Sequence, residues 1–242
     1  MENTKSNGIP QIMSEFIGQD RVRENLGIAI EAAKKRNEPL DHILLCGQEG
    51  LGKTTMARII ANEMNAEMRF VSCKEVKNDS EMVTMLIGVN AGDIIFLNYL
   101  EMLTQSASDA LIEVMTSFSK QTFIGKEMKC MMLDFPHFTI ISEVESTLSL
   151  TRELQSCFGI IECFEPYSKD EIKMMIQRWG TQLQVSVNDN AALELASNCN
   201  GMPSTARRML KRTRDYAEVL NNGIVSREIV EKVVEQERDL GR

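Results

Sequence analysis

Apolar residues recur at helical spacing over residues 20–36: Val22, Leu26, Ala29, Ile30 and Ala33 share one face of DRVRENLGIAIEAAKKR, with charges opposite. The spacing predicts a helix packed by that face, ended by Asn37-Glu38-Pro39. HILLC at 42–46 is then a short unbroken apolar run opening onto glycines, as a buried parallel strand does. A helical stretch, TMARIIANEM, follows Thr54; after it come the strand-like MRFVSC at 68–73, a polar connection and DIIFL at 93–97. FTIIS at 138–142 and IIECF at 160–164 fit the same sheet, and FIGKE at 123–127 reads as the tip of a hairpin just ahead of FTIIS. Strands alternating with helices predict an α/β fold, a parallel sheet with helical cover.

From Ser168 the period becomes helical. Ser168 and Glu171 form a capping-box pattern, and Ile172, Met175, Ile176 and Trp179 follow on one face. Further helices are expected at about 189–199, 204–221 and 226–238. The expected organisation is an N-terminal tail at 1–15, an α/β domain at 16–166 and a small all-helical domain at 167–242. The chain shows no internal repeat or low-complexity tract, and its 16 methionines are read as core filling.

Composition narrows the function. At 242 residues with 43% hydrophobic and 26% charged residues, the chain reads as an ordinary globular protein. A net charge of -8 excludes a surface that binds nucleic acid everywhere. RRMLKRTR at 207–214 is a local basic stripe, read as a solvated helix face or a dock for an acidic protein, with a phosphate stripe as the sharper alternative. No run reaches the roughly 18–20 apolar residues of a membrane span, and the N-terminus lacks a signal-peptide core, so a cytoplasmic location is expected. Cysteines 46, 73, 130, 157, 163 and 199 make no CxxC pair and are expected as reduced thiols. His42 and His137 lack ligand spacing, so no zinc site is expected.

The candidate chemistry lies at 47–54. GQEGLGKT satisfies GxxxxGK[ST] between an apolar strand and a helix. Glycines let the backbone wrap phosphates, amides at the helix N-terminus face their oxygens, Lys53 supplies a charge, and the Thr54 hydroxyl suits Mg²⁺. Glu49 is discordant: pointing inward it would repel phosphate, pointing outward it is harmless.

Residues 16–63, with GDIIFL, IGK, LDFP, FTII, CFGI, NGMP and KRTRDYAEV further on, resemble the RuvB family of AAA+ Holliday-junction branch-migration motors; the likeness runs from residue 14 to about 235. The resemblance implies an AAA+ α/β domain, a helical lid, a winged helix that touches DNA, and a hexameric ring with nucleotide between subunits. It also implies loading by RuvA through the hairpin before the fourth strand, slightly shortened here around Ile124 to Met128, and a context of DNA recombination and repair. The sequence stops at Arg242, just past the lid, so these residues hold no counterpart of the winged helix.

Carried over position by position, the resemblance implies that Gly47, Gly50, Gly52, Lys53, Thr54 and Thr55 bind the phosphates of ATP or ADP. Ile17, Gly18 and Tyr167 border the adenine, and Thr54 ligates Mg²⁺. The catalytic positions differ. The strand-end Asp is Asn98 and the water-polarising Glu is Tyr99, whose phenol, ordinarily near pKa 10, is a poor base at neutral pH. The paired sensor threonines are Val144 and Glu145, the two finger-region arginines are Gln155 and Cys157, and the lid arginine is Ser204. An arginine finger contributes on the order of 10³–10⁵ in rate in comparable GTPases, so motor-speed hydrolysis is not expected. Among replacements, Asp93 lies about 16 Å back along its strand, Glu101 has left it, and Glu145 is the best carboxylate, though read first as a surface charge; Arg152 is a displaced-finger candidate on the same terms. The leading expectation is a nucleotide-binding pseudo-ATPase. A motor subunit completed in a mixed ring, and an interaction module that has abandoned nucleotide, remain alternatives.

Overall fold

The computed structural model describes residues 9–124 and 129–239; of the hairpin tip expected at 123–127, residues 125–127 lie outside the described residues. Contacts divide the chain into two compact units that do not follow chain order.

The α/β unit comprises Asp20–Gln48 and Lys53–Phe164. Its helices are α1 (Asp20–Arg36), α2 (Lys53–Met64), α3 (Asp79–Leu86), α4 (Gln105–Ser117) and α5 (Arg152–Ser156). Its strands are β1 (Ile43–Cys46), β2 (Met68–Ser72), β3 (Ile94–Asn98), β4 (Ser119–Ile124), β5 (Lys129–Asp134), β6 (Thr139–Val144) and β7 (Ile160–Cys163). Five form a parallel sheet in the order β2-β3-β6-β1-β7, while β4 and β5 pair as an antiparallel ribbon. The apolar run at 43–46 is fully buried, as a strand covered on both faces must be. α3 falls in the expected polar connection, and α4 in a stretch to which the sequence reading assigns no element. Their starts are set by side-chain caps: Asn78 accepts from the Glu81 amide, and Thr104 from the Ala107 amide. Met82, Leu86, Leu111 and Val114 from these helices join Leu44, Ile95, Leu97 and Ile140 in one core.

β6 runs to Val144, past the Ser142 end expected from FTIIS, which carries Glu143 into the ladder opposite Leu45. Below it, buried His42 ties β6 to α4. Its Nδ1 accepts from the Ile140 amide at 2.9 Å, which leaves Nε2–H to donate to the Met115 carbonyl at 3.3 Å. Burial lowers its pKa from 6.5, against the opposing pull of the Met115 carbonyl and Asp41.

One cysteine expectation is corrected. Parallel pairing sets Cys46 beside Cys163 at the ends of β1 and β7, and the two form a disulfide across 117 residues of chain. No spacing motif announces it, because strand register rather than local sequence brings the thiols together. Cys73 and Cys199 are free and buried, their thiols pushed up to about 12 by burial.

The helical unit comprises the described residues of Met1–Gln19, Glu49–Gly52 and Glu165–Arg242. It contains α6 (Lys169–Gln182), α7 (Asp189–Ser197), α8 (Pro203–Leu220) and α9 (Arg227–Asp239). To these it adds a parallel two-residue pair, β8 (Ser186–Val187) with β9 (Ile224–Val225), too short to carry a sequence period. The Ser168–Glu171 capping box is formed at the start of α6. On α8, Met209 and Leu210 are buried, whereas Arg208, Arg212 and Arg214 meet partners of their own unit. Arg208 pairs with Glu237 at 2.5 Å, Arg214 with Asp215 at 3.2 Å, and Arg212 lies 5.1 Å from the Tyr216 ring. These contacts favour the solvated-face reading of the stripe.

Two outcomes are expected. A base whose folded pKa is lowered leaves the unfolded chain binding more protons, so His42 contributes stability that is present in full above pH 6.5 and is lost as pH falls from there through its folded pKa. Urea midpoints measured from pH 7.5 to 5 should fall in the parent, and less steeply in His42→Asn, which keeps an acceptor for Ile140 but does not titrate; parallel slopes would refute this. Separately, peptide mapping without reductant should recover the Cys46 and Cys163 peptides linked, and recovering them separate would refute the bond.

Candidate functional site

β1 ends at Cys46 and α2 begins at Lys53, so the glycine-rich segment leaves the C-terminal edge of the sheet and enters a helix N-terminus. In open parallel sheets this edge is where ligands bind. Within the α/β unit, the Gly47 amide donates to the Val144 carbonyl at 3.1 Å. Lys53 is buried, and its Nζ donates to the carbonyls of Gly47 at 2.6 Å and Gln48 at 2.8 Å. The Thr54 hydroxyl donates to Glu143 Oε2 at 2.9 Å. Thr55, in the same first turn, is half-buried.

The middle of the loop, Glu49–Gly52, packs within the helical unit. Gly50 and Gly52 take φ values of 87° and 99°, a region that L side chains rarely adopt. A side chain at Gly50 would also collide with the Ser204 hydroxyl, and the Ser204 amide donates to the Gly50 carbonyl at 3.3 Å. The Tyr167 hydroxyl donates to the Leu51 carbonyl at 2.9 Å, and burial pushes this phenol well above its ordinary pKa. Gly18 abuts the Tyr167 ring and the Glu171 carboxylate so closely that any Cβ would strike both, and Ile17 beside it is half-buried. Glu49 is exposed, the orientation in which its charge does not oppose phosphate.

The strand-end positions are dispersed. Asn98 closes β3 with its Oδ1 buried and without a hydrogen-bond partner among the described residues. Tyr99 is 41% exposed, with a left-handed backbone (φ 56°) and Lys74 Nζ 3.5 Å from its ring centre. Val144 is buried in the core and Glu145 is exposed, as are Glu101 and Arg152. Gln155 Nε2 is held by the carbonyls of Thr147 at 2.7 Å and Leu150 at 3.0 Å, and Cys157 Sγ turns back to the Glu153 carbonyl at 3.4 Å. Asp93 accepts from the Asn90 amide at the start of β3, the wrong end of the strand.

The carboxylate bonded to the loop's helix is Glu143, which the sequence reading passed over in favour of Glu145. The available signal was register: carrying the strand through Val144 sets position 143 beside Leu45, one residue before β1 ends and the glycine-rich segment begins. The residues present fit a magnesium–phosphate group: a buried ammonium, a hydroxyl already polarised by a carboxylate, and an orphaned amide oxygen on a neighbouring strand.

Comparison with known proteins finds relatives of both parts of the chain. Residues 9–164 match the Holliday junction DNA helicase RuvB P-loop domain, and residues 167–238 match the RuvB AAA lid domain. The Thermotoga maritima RuvB Holliday junction branch migration motor is 32% identical, with 95% of this chain and 73% of that chain covered and a TM-score of 0.86. A single-site mutant of Thermotoga maritima RuvB is 33% identical, with coverages of 93% and 72% and a TM-score of 0.85. The matches to both domains span nearly the whole described chain, and the protein therefore belongs to the RuvB family of AAA+ proteins.

Proposed function

We propose that the protein binds ATP or ADP with Mg²⁺ through Gly47, Gly50, Gly52, Lys53, Thr54 and Thr55, and hydrolyses it slowly or not at all. The observation that carries this reading is the contrast between an assembled loop and unsuited catalytic positions. Lys53 and Thr54 are in place at the start of α2, while Tyr99 is turned to solvent beneath Lys74. The amide of Gln155 is engaged by local carbonyls, and neither it nor Cys157 carries the charge of a finger. Thr54 would hold Mg²⁺, whose charge would screen the phosphates. Ile17, Gly18 and Tyr167 are the adenine-side residues in this reading.

Nucleotide then acts as a structural ligand, stabilising the folded state by mass action and biasing its conformations. The setting is a homo- or hetero-oligomer of AAA+ subunits in the cytoplasm, with DNA met through that assembly. No described helix is long and apolar enough to cross a membrane. A second reading, an interaction module without nucleotide, is favoured by the bonds from Lys53 to Gly47 and Gln48, which engage its ammonium with the loop's own carbonyls.

Calorimetric titration with Mg-ATP separates the two. Binding is expected in the parent and should weaken at least about tenfold in Lys53→Ala, since a hydrogen bond to a charged group contributes about 1.5–3 kcal/mol. Phosphate release from the parent should stay near background. Equal binding by Lys53→Ala would refute the role of the loop, and turnover at motor rates would refute the pseudo-ATPase.

A further inference from the structure

We propose that Glu143, on β6, supplies the negative charge at the metal side of the phosphate loop that Asn98, on β3, does not carry. The inference rests on the nucleotide-binding reading above and assigns a residue that reading leaves out.

Three observations converge on it. Thr54, the hydroxyl that suits the metal, donates its proton to Glu143 Oε2 at 2.9 Å. A hydroxyl held this way directs its proton to the carboxylate and leaves oxygen lone pairs for a cation, the way an outer carboxylate orients and strengthens a ligand. The second observation is register. β3 and β6 pair Leu97 with Ser142, so one step further Asn98 and Glu143 are neighbours on the same face of the sheet. Adjacent strands lie about 4.8 Å apart, and a glutamate is longer than an aspartate by one methylene, so the side chain offsets part of the lateral displacement. The third is the buried Asn98 Oδ1 without a partner among the described residues, an acceptor suited to metal-bound water.

The other carboxylates considered do not compete. Glu145 and Glu101 are exposed, and Asp93 bonds Asn90 at the opposite end of β3. Glu143, by contrast, accepts its hydrogen bond from the residue that ends the phosphate-loop motif. Charge has thus moved one strand sideways: a neutral amide stands at the end of β3 and a carboxylate beside it on β6.

The test measures Mn²⁺ by electron paramagnetic resonance, and ADP by calorimetry with and without the metal, on the full chain. In the parent, Mn²⁺ should tighten ADP binding. Glu143→Gln, close in shape but uncharged, should lower Mn²⁺ affinity in the presence of ADP by about 10–100-fold, the usual effect of losing an outer-shell partner. Its metal-free ADP binding should be unchanged or tighter, because a negative charge near the phosphates has gone. Adding Asn98→Asp to Glu143→Gln should recover Mn²⁺ affinity by returning the charge to β3. Asn98→Asp alone gives a second readout that does not depend on the folding of the Glu143→Gln chain, and it should tighten Mn²⁺ binding. Equal metal dependence in the parent and Glu143→Gln, or equal losses with and without metal, would overturn the assignment while leaving nucleotide binding intact. Failure of the parent to bind ADP under either condition would overturn the functional reading and this inference together.

Discussion

Strand β1 is hydrogen-bonded on both sides and buried at every residue, and the architecture of the α/β unit depends on that constraint. A strand in this position cannot shift register without exposing apolar side chains or leaving ladder groups unpaired. Its C-terminal end therefore fixes where Gly47 begins, and its two ladders fix which residues of β6 and β7 stand beside it. Glu143 and Cys163 both reach the rim in this way: neither is near the loop in sequence, and both are placed by pairing with Leu45 and Cys46.

Two polar groups at that rim, the Lys53 ammonium and the Thr54 hydroxyl, are satisfied by protein acceptors. Lys53 bonds two loop carbonyls and Thr54 bonds Glu143, so the ammonium and the hydroxyl do not stand exposed at the end of an apolar strand. A phosphate would replace carbonyl acceptors with charged oxygens, and hydrogen bonds between two charged groups are the stronger kind. Lys53 and Thr54 thus have protein partners to exchange for a phosphate group and its metal.

Much of this was legible in the sequence. α1, the strands of the sheet and the capping box of α6 carry strong local patterns, and the glycines of the loop state their own backbone requirement. α3 reads as a polar connection because its start depends on a single capping residue, whereas α4 is passed over although Ala107, Ala110, Leu111, Val114 and Met115 recur at helical spacing. The site was legible along the chain but not across it. Asn98 and Tyr99 could be read as substitutions in a strand-end motif, whereas Glu143 matters only through its neighbours on two other strands. Glu145, named as a candidate for its place near the end of an adjacent strand and read first as a surface charge, is exposed because the strand ends one residue before it.

The bond between Cys46 and Cys163 has a practical side. Cys46 immediately precedes Gly47, so the covalent link sits at the root of the glycine-rich loop. Reductant in a storage buffer is consequently not an inert additive for this protein. Samples kept with and without it differ in covalent connectivity at that root, and preparations should be matched for thiol state before their ligand affinities are compared.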